Sequence, residues 1–172
     1  MKEHNIDCKK YRKHTHLAGV DVEMIAAEKG NCTLTIKDAY YSKGVDVSGN
    51  KTDGYFLEFE EDVAPMVVNS TNRTRIANNL CIEKKITPLE SRNIGNWIGL
   101  KINLIFDPTI KMMGKVVGGI VVDKIKVLPE LIIDSDNFKA VKEAITTKGY
   151  TINQVKSKYV LSKECESLLL SK

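Results

Sequence analysis

The sequence predicts an α+β domain, on three observations. Short stretches of alternating apolar and polar residues recur between Asn31 and Asp123, the mark of half-buried strands. A helical pattern breaks that series once, between the third and the fourth stretch. A Gly-Gly pair and single prolines fall where strands must bend or stop. Five strands with a helical insert between strands three and four is the order of an OB-like Greek-key barrel, here followed by a C-terminal helical tail. Barrels of this kind bind extended polymers, very often single-stranded nucleic acid.

The elements follow in order. Residues 1–16 read as a basic N-terminal arm, 17–128 as the barrel domain and 129–172 as a three-helix tail. Val20 to Lys29 suits a short helix with Asp21 as its cap and Gly30 as its end. Cys32, Leu34 and Ile36 alternate with Thr33, Thr35 and Lys37 in a first strand from Asn31 to Tyr41. A polar, glycine-bearing stretch, Ser42 to Gly54, reads as a loop. The second strand sets Tyr55, Leu57 and Phe59 on one face and Phe56, Glu58 and Glu60 on the other. Pro65 opens a third, Met66 to Asn69, because proline tolerates the first position of a strand.

Ser70 or Thr71 then caps a helix in which Ile76 and Leu80 share a face. Thr87-Pro88-Leu89-Glu90 is a capping box with proline at the first helical position, so the insert continues in a second piece to about Trp97. Ile102, Leu104 and Phe106 form the fourth strand, ended by Asp107-Pro108. The fifth, Lys115 to Asp123, carries Gly118-Gly119 at its centre, where a barrel strand turns a corner. In the tail, Phe138, Val141, Ala144 and Ile145 give an amphipathic helix over Asp136 to Thr147. Thr151 to Gln154 is another capping box, for a helix to about Tyr159, and Ser162 caps a last helix.

The 172 residues are 42% hydrophobic and 28% charged, with a net charge of +4. That balance is ordinary for a globular protein and permits nucleic-acid contact without requiring it. The N-terminus has no apolar signal core, and no run approaches the roughly 18 apolar residues of a membrane span, so a cytoplasmic protein is expected. Cys8, Cys32, Cys81 and Cys165 form no CxxC pair and read as free thiols.

The chemistry-bearing residues point to binding. His4, Cys8, His14 and His16 have the donor types of a zinc site, though their spacing matches no standard finger or ribbon. The alternative is a polar arm with His16 packed where the fold begins. Glu58, Glu60, Glu61 and Asp62 cluster, yet their place on and after a solvent-facing strand suits a charged edge that resists aggregation. No Ser-His-Asp group, P-loop or GxGxxG is present, and no enzyme activity is expected. An OB-type ligand face draws on strands two and three and on the loops joining strands one to two and four to five. That places Tyr41, Lys43, Lys51, Phe56, Lys111 and Lys115 as contacts, with Arg73 and Arg75 on the insert helix as a second basic spot. Aromatic faces stack bases while cationic groups neutralise phosphates. Trp97, just before the fourth strand, reads as a core anchor.

Several segments also form an ordered series: Tyr11-Arg12-Lys13 with His16-Leu17-Ala18-Gly19, then Met66 to Asn72, Asn96 to Gly99, and Gly114 to Ile120. The series resembles a group of small phage and prophage accessory proteins, over roughly residues 11 to 125. The resemblance implies a phage-encoded, non-enzymatic protein acting in the bacterial cytoplasm. It implies either handling of phage DNA or, as an alternative, an anti-CRISPR type inhibitor that blocks DNA binding by a host RNA-guided nuclease. It transfers no catalytic residue. The stretch Ile82 to Arg92 is longer than the resemblance leads one to expect.

Overall fold

The computed structural model describes residues 15–156 and 158–171, the Met112 side chain excepted. The chain divides into two compact units between Lys126 and Val127.

The first unit is an α+β domain built on an antiparallel five-stranded sheet. It begins with helix α1 (Gly19–Lys29), then strands β1 (Cys32–Val47), β2 (Asn50–Phe59) and β3 (Met66–Val68). The insert follows as α2 (Ser70–Lys84), α3 (Pro88–Ser91) and a 3₁₀ turn (Ile94–Trp97). Strand β4 (Lys101–Asp107), the short strands β5 (Lys111–Met112) and β6 (Lys115–Val116), and β7 (Gly119–Lys126) complete it. The sheet order is β3-β2-β1-β4-β7, while β5 and β6 pair separately as a hairpin.

Strand β1 serves both halves of the sheet. Its first residues pair with β4, from Cys32 opposite Leu104 to Thr35 opposite Lys101. From Ile36 onward it pairs with β2. A register shift between Ile36 and Asp38 marks a bulge where the strand changes partners, the usual device for turning a strand sharply. Glu61 serves the backbone beside it: its carboxylate accepts from the Thr35 N–H at 2.8 Å and from Thr35 Oγ1 at 3.0 Å. One member of the acidic cluster is therefore structural.

The core lies on the face carrying Cys32, Leu34 and Ile36 of β1, Leu57 and Phe59 of β2, Met66 and Val68 of β3, and Ile102 and Leu104 of β4, all buried. Helix α2 adds Ile76, Ala77 and Leu80 at helical spacing. Helix α1 lies against β4 and β1, and its N-terminal Gly19 abuts the Phe106 ring, which leaves no room for a Cβ.

Several boundaries differ from the expectation. The stretch Ser42 to Gly54 is not a loop: β1 and β2 continue as a paired ribbon to a tip at Ser48-Gly49. Its apolar alternation is confined to Val45 and Val47, half-buried about the exposed Asp46, and the return strand from Asn50 to Gly54 has none, so the pattern is too short to mark a strand. The expected fifth strand is split. Gly118 takes φ +67, with Phe106 filling the space a side chain would need, and the chain turns there. Lys115 and Val116 therefore pair with Met112 and Lys111, and only Gly119 onward joins β4. Asn69, not Ser70 or Thr71, caps α2, its Oδ1 accepting from the Asn72 N–H at 2.9 Å. Asp21 lies inside α1 and accepts from the Ala18 N–H at 2.8 Å. The Thr87–Glu90 capping box forms as the sequence predicts.

The expected cylinder is not closed: among the described residues no pairing joins β3 to β7. The free edge of β7 is occupied by side chains of α2. Asn72, itself buried, donates from Nδ2 to the Ile120 carbonyl at 2.8 Å and accepts at Oδ1 from the Val122 N–H at 3.0 Å. Arg75 Nη1 donates to the Val122 carbonyl at 3.3 Å. One amide thus gives β7 the donor and the acceptor that a neighbouring strand would have offered.

The second unit contains α4 (Asp136–Lys148), α5 (Ile152–Lys156) and α6 (Lys163–Leu170). Leu131, Phe138, Val155, Cys165 and Leu169 form its core, edged by Val141, Ile145, Ile152 and Leu161. The caps are Ser135 and Ser162, and Thr151 and Gln154 satisfy each other's backbone N–H groups. A parallel bridge between Glu130 and Val160 ties its start to the turn before α6.

Replacing Asn72 with Ala leaves two backbone groups of β7 unpaired, the buried Val122 N–H and the part-buried Ile120 carbonyl. At about 1–3 kcal/mol for a buried group left unmade, and about 1 kcal/mol for the part-buried one, urea unfolding of Asn72→Ala is expected to show a loss of about 2–4 kcal/mol. A loss below about 1 kcal/mol would mean that water replaces the amide at that edge.

Candidate nucleic-acid interface

The placement of α2 also sets the features that can bind. Asn72 and Arg75 face β7, whereas Arg73, next in the helix, points to the other side and lays its guanidinium over the Tyr55 ring of β2, 4.3 Å from the centroid. Tyr55 pairs across the ladder with Tyr41 of β1, and their rings meet edge to face at 5.1 Å. Tyr41 is 49% exposed. The result is a row of Tyr41, Tyr55 and Arg73, an open aromatic surface ending in a cation held by its attraction to the ring.

Beside this row lies a cavity of about 670 Å³, walled by Tyr55 from β2, by Arg73, Thr74, Ala77, Asn78 and Cys81 from α2, and by Ser91, Arg92 and Trp97 from the rest of the insert. Trp97 is 2% exposed and its Nε1 donates to the Ser91 carbonyl at 2.8 Å, so the core anchor expected from the sequence also forms a cavity wall. Arg92 is steadied by its Nε donating to the Pro88 carbonyl at 3.0 Å. Arg73 Nε is buried and has no hydrogen-bond partner.

The residues proposed from the sequence do not form one surface. Tyr41 and Arg73 meet through Tyr55. Arg75 belongs to the β7 edge. Lys43 and Lys51 are exposed on the β1–β2 ribbon, Lys51 opposite Asp46. Lys111 and Lys115 are exposed on the β5–β6 hairpin, whose two-residue turn, Met113-Gly114, has φ values of +49 and +79. Tyr55, Arg92 and Trp97 were not among the expected contacts. Tyr55 read as a core residue by alternation, and Arg92 follows a capping box with no motif of its own.

Phe56 is a correction. Alternation rightly puts it opposite Leu57, but it is 0% exposed and cannot stack on a ligand. The segment Thr15 to Leu17 covers it: the His16 ring lies 5.5 Å from the Phe56 ring, and Tyr40 stacks on it at 5.7 Å. Leu17 N–H donates to the Pro65 carbonyl at 2.8 Å, and Thr15 Oγ1 accepts from the Ser48 N–H at 3.1 Å. Of the proposed zinc ligands, His4, Cys8 and His14 lie outside the described residues. His16 Nδ1 sits 3.0 Å from Thr15 Oγ1, and among the described residues no group of three His, Cys, Asp or Glu side chains could hold a metal ion. Cys32, Cys81 and Cys165 are free thiols. No helix among the described residues is long and apolar enough to cross a membrane.

No family model, no curated protein and no solved structure matches this chain.

Burial against Phe56 lowers the His16 pKa from its ordinary 6.5, with the Asp46 carboxylate opposing in smaller measure. The unfolded chain then takes up the proton more readily, so the stability from neutral His16 is present above pH 6.5 and lost as pH falls through the folded value. Thermal melts from pH 7.5 down to 5 are expected to show the native protein losing stability faster than His16→Gln. Parallel curves would exclude the imidazole as the titrating cover.

Proposed function

We propose that this is a non-enzymatic accessory protein of phage type that binds single-stranded nucleic acid, DNA foremost, in the bacterial cytoplasm. The observation that carries the reading is the Tyr41–Tyr55–Arg73 row. It combines an exposed aromatic edge, a second ring beside it and a guanidinium 4.3 Å above that ring. Bases of any identity stack on such a surface, and the cations of the two hairpins, Lys43, Lys51, Lys111 and Lys115, neutralise the backbone on either side. We read the open sheet as an OB-like barrel parted between its third and last strands, with α2 set into the gap. The strand order β3-β2-β1-β4-β7 supports that reading.

A protein-directed inhibitor of a host RNA-guided nuclease is the second reading. The observation favouring it is that Ile82 and Leu89, on the insert, are each 73% exposed, as apolar contact residues are before a partner covers them. Affinity capture from host lysate, with and without nuclease treatment, separates the two. Recovery of a defence nuclease from treated lysate would favour the inhibitor.

Binding of an oligothymidine is expected to weaken about 5- to 150-fold in Tyr41→Leu, the loss of one stacked base at roughly 1–3 kcal/mol. The double substitution of Lys111 and Lys115 by Ala is expected to flatten the salt dependence of log K by about 1.4, at about 0.7 for each phosphate no longer neutralised. Absence of binding at low salt would overturn the nucleic-acid reading.

A further inference from the structure

The cavity beside the aromatic row is a site in its own right. We propose that it holds a single unstacked nucleotide, with the base against the aromatic and apolar wall and the phosphate at Arg73 and Arg92. The choice of a nucleotide as the anion rests on the nucleic-acid reading above. The existence of an anion site rests on the cavity alone.

Size comes first. About 670 Å³ is far more than an inorganic phosphate needs and falls within the range of small-molecule sites, roughly 300–1,000 Å³. Charge comes second. The lining has two arginines and no carboxylate, so an anion enters a site already positive. The third argument is a cation already in place. The Arg73 guanidinium is held over the Tyr55 ring, 4.3 Å from its centroid, and both residues line the cavity, so the charge is fixed at the wall before an anion arrives. A phosphate arriving there meets a guanidinium, which suits its oxygens better than an ammonium does.

The wall chemistry selects the rest of the ligand. Trp97 has already given its N–H to Ser91, so what it offers the cavity is ring surface. With Tyr55, Ala77 and Ile94 it forms an apolar lining suited to a flat ring, and Asn78 adds an amide able to read a base edge. An acidic peptide would satisfy the arginines but would leave this ring surface without a planar partner. Tyr55 belongs both to the open row and to the cavity, so a strand running along the row can turn one base inward at that residue.

The protein has one tryptophan, and it lines the cavity, so its emission reports occupancy directly. The full chain is titrated with deoxythymidine monophosphate, with inorganic phosphate, with a short acidic peptide and with an oligothymidine, the last followed also by anisotropy of a labelled strand. The mononucleotide and the oligonucleotide are expected to change Trp97 emission saturably, and phosphate more weakly. Arg92→Gln is expected to weaken the mononucleotide about tenfold, the scale of one charge-assisted hydrogen bond. Asn78→Phe, at an exposed position whose new ring would intrude into the cavity, is expected to weaken the emission change while leaving the unfolding midpoint intact. Oligonucleotide binding with unaltered Trp97 emission would overturn the cavity assignment and leave the nucleic-acid reading standing. A mononucleotide response without strand binding would support the cavity and overturn that reading. A stronger response to the acidic peptide than to the nucleotide would overturn the proposed ligand class.

Discussion

The amide of Asn72 holds the first unit in its present shape. A sheet ending at β7 has to satisfy a row of outward N–H and C=O groups, and water or another strand is the ordinary answer. Here a buried helix side chain takes the Ile120 carbonyl and the Val122 N–H, and Arg75 takes the Val122 carbonyl. These bonds anchor α2 along the edge of β7. They also orient the helix, since residues flanking Asn72 must then face the other way. Arg73 over Tyr55, and the cavity behind it, follow from that anchoring.

The two faces of the β1–β2 half are used differently. One carries the core at Ala39 and Leu57 and ends in the exposed Tyr41 beside Tyr55. The other would present Phe56 and Tyr40 to water, and the segment Thr15 to Leu17 lies over it, bonded to the ribbon tip and to Pro65. Covering the second face leaves the aromatic end of the first as the open one. The open aromatic surface is thereby confined to one side of the sheet, next to a cation that cannot swing away without giving up its hold on Tyr55.

What could be read from the sequence depended on burial. Cys32 to Ile36, Tyr55 to Phe59 and Ile102 to Phe106 alternate because one face is buried and the other is wet, and the strands lie where that pattern puts them. The ribbon beyond Ser42 is mostly in solvent, and Val45 and Val47 are the only apolar trace its pairing leaves. Gly118-Gly119 did signal a sharp change of direction, but only the Phe106 ring packed at Gly118 explains why the strand ends there. Tyr41 and Arg73 were legible as an aromatic and a cation. Their meeting through Tyr55 was not, because it depends on Asn72, which in sequence is an ordinary polar helix residue. The cover over Phe56 joins positions forty residues apart, and no local periodicity encodes it.

Strand β1 has a mechanical consequence. Its first residues are hydrogen-bonded to β4 and its remainder to β2, with the change of partner at Ile36, which bonds the backbone of Gly99 and Leu100. Loss of structure at that junction would therefore disturb both halves of the sheet at once, whereas the exposed end of the β1–β2 ribbon can fray without touching the pairing of β1 with β4.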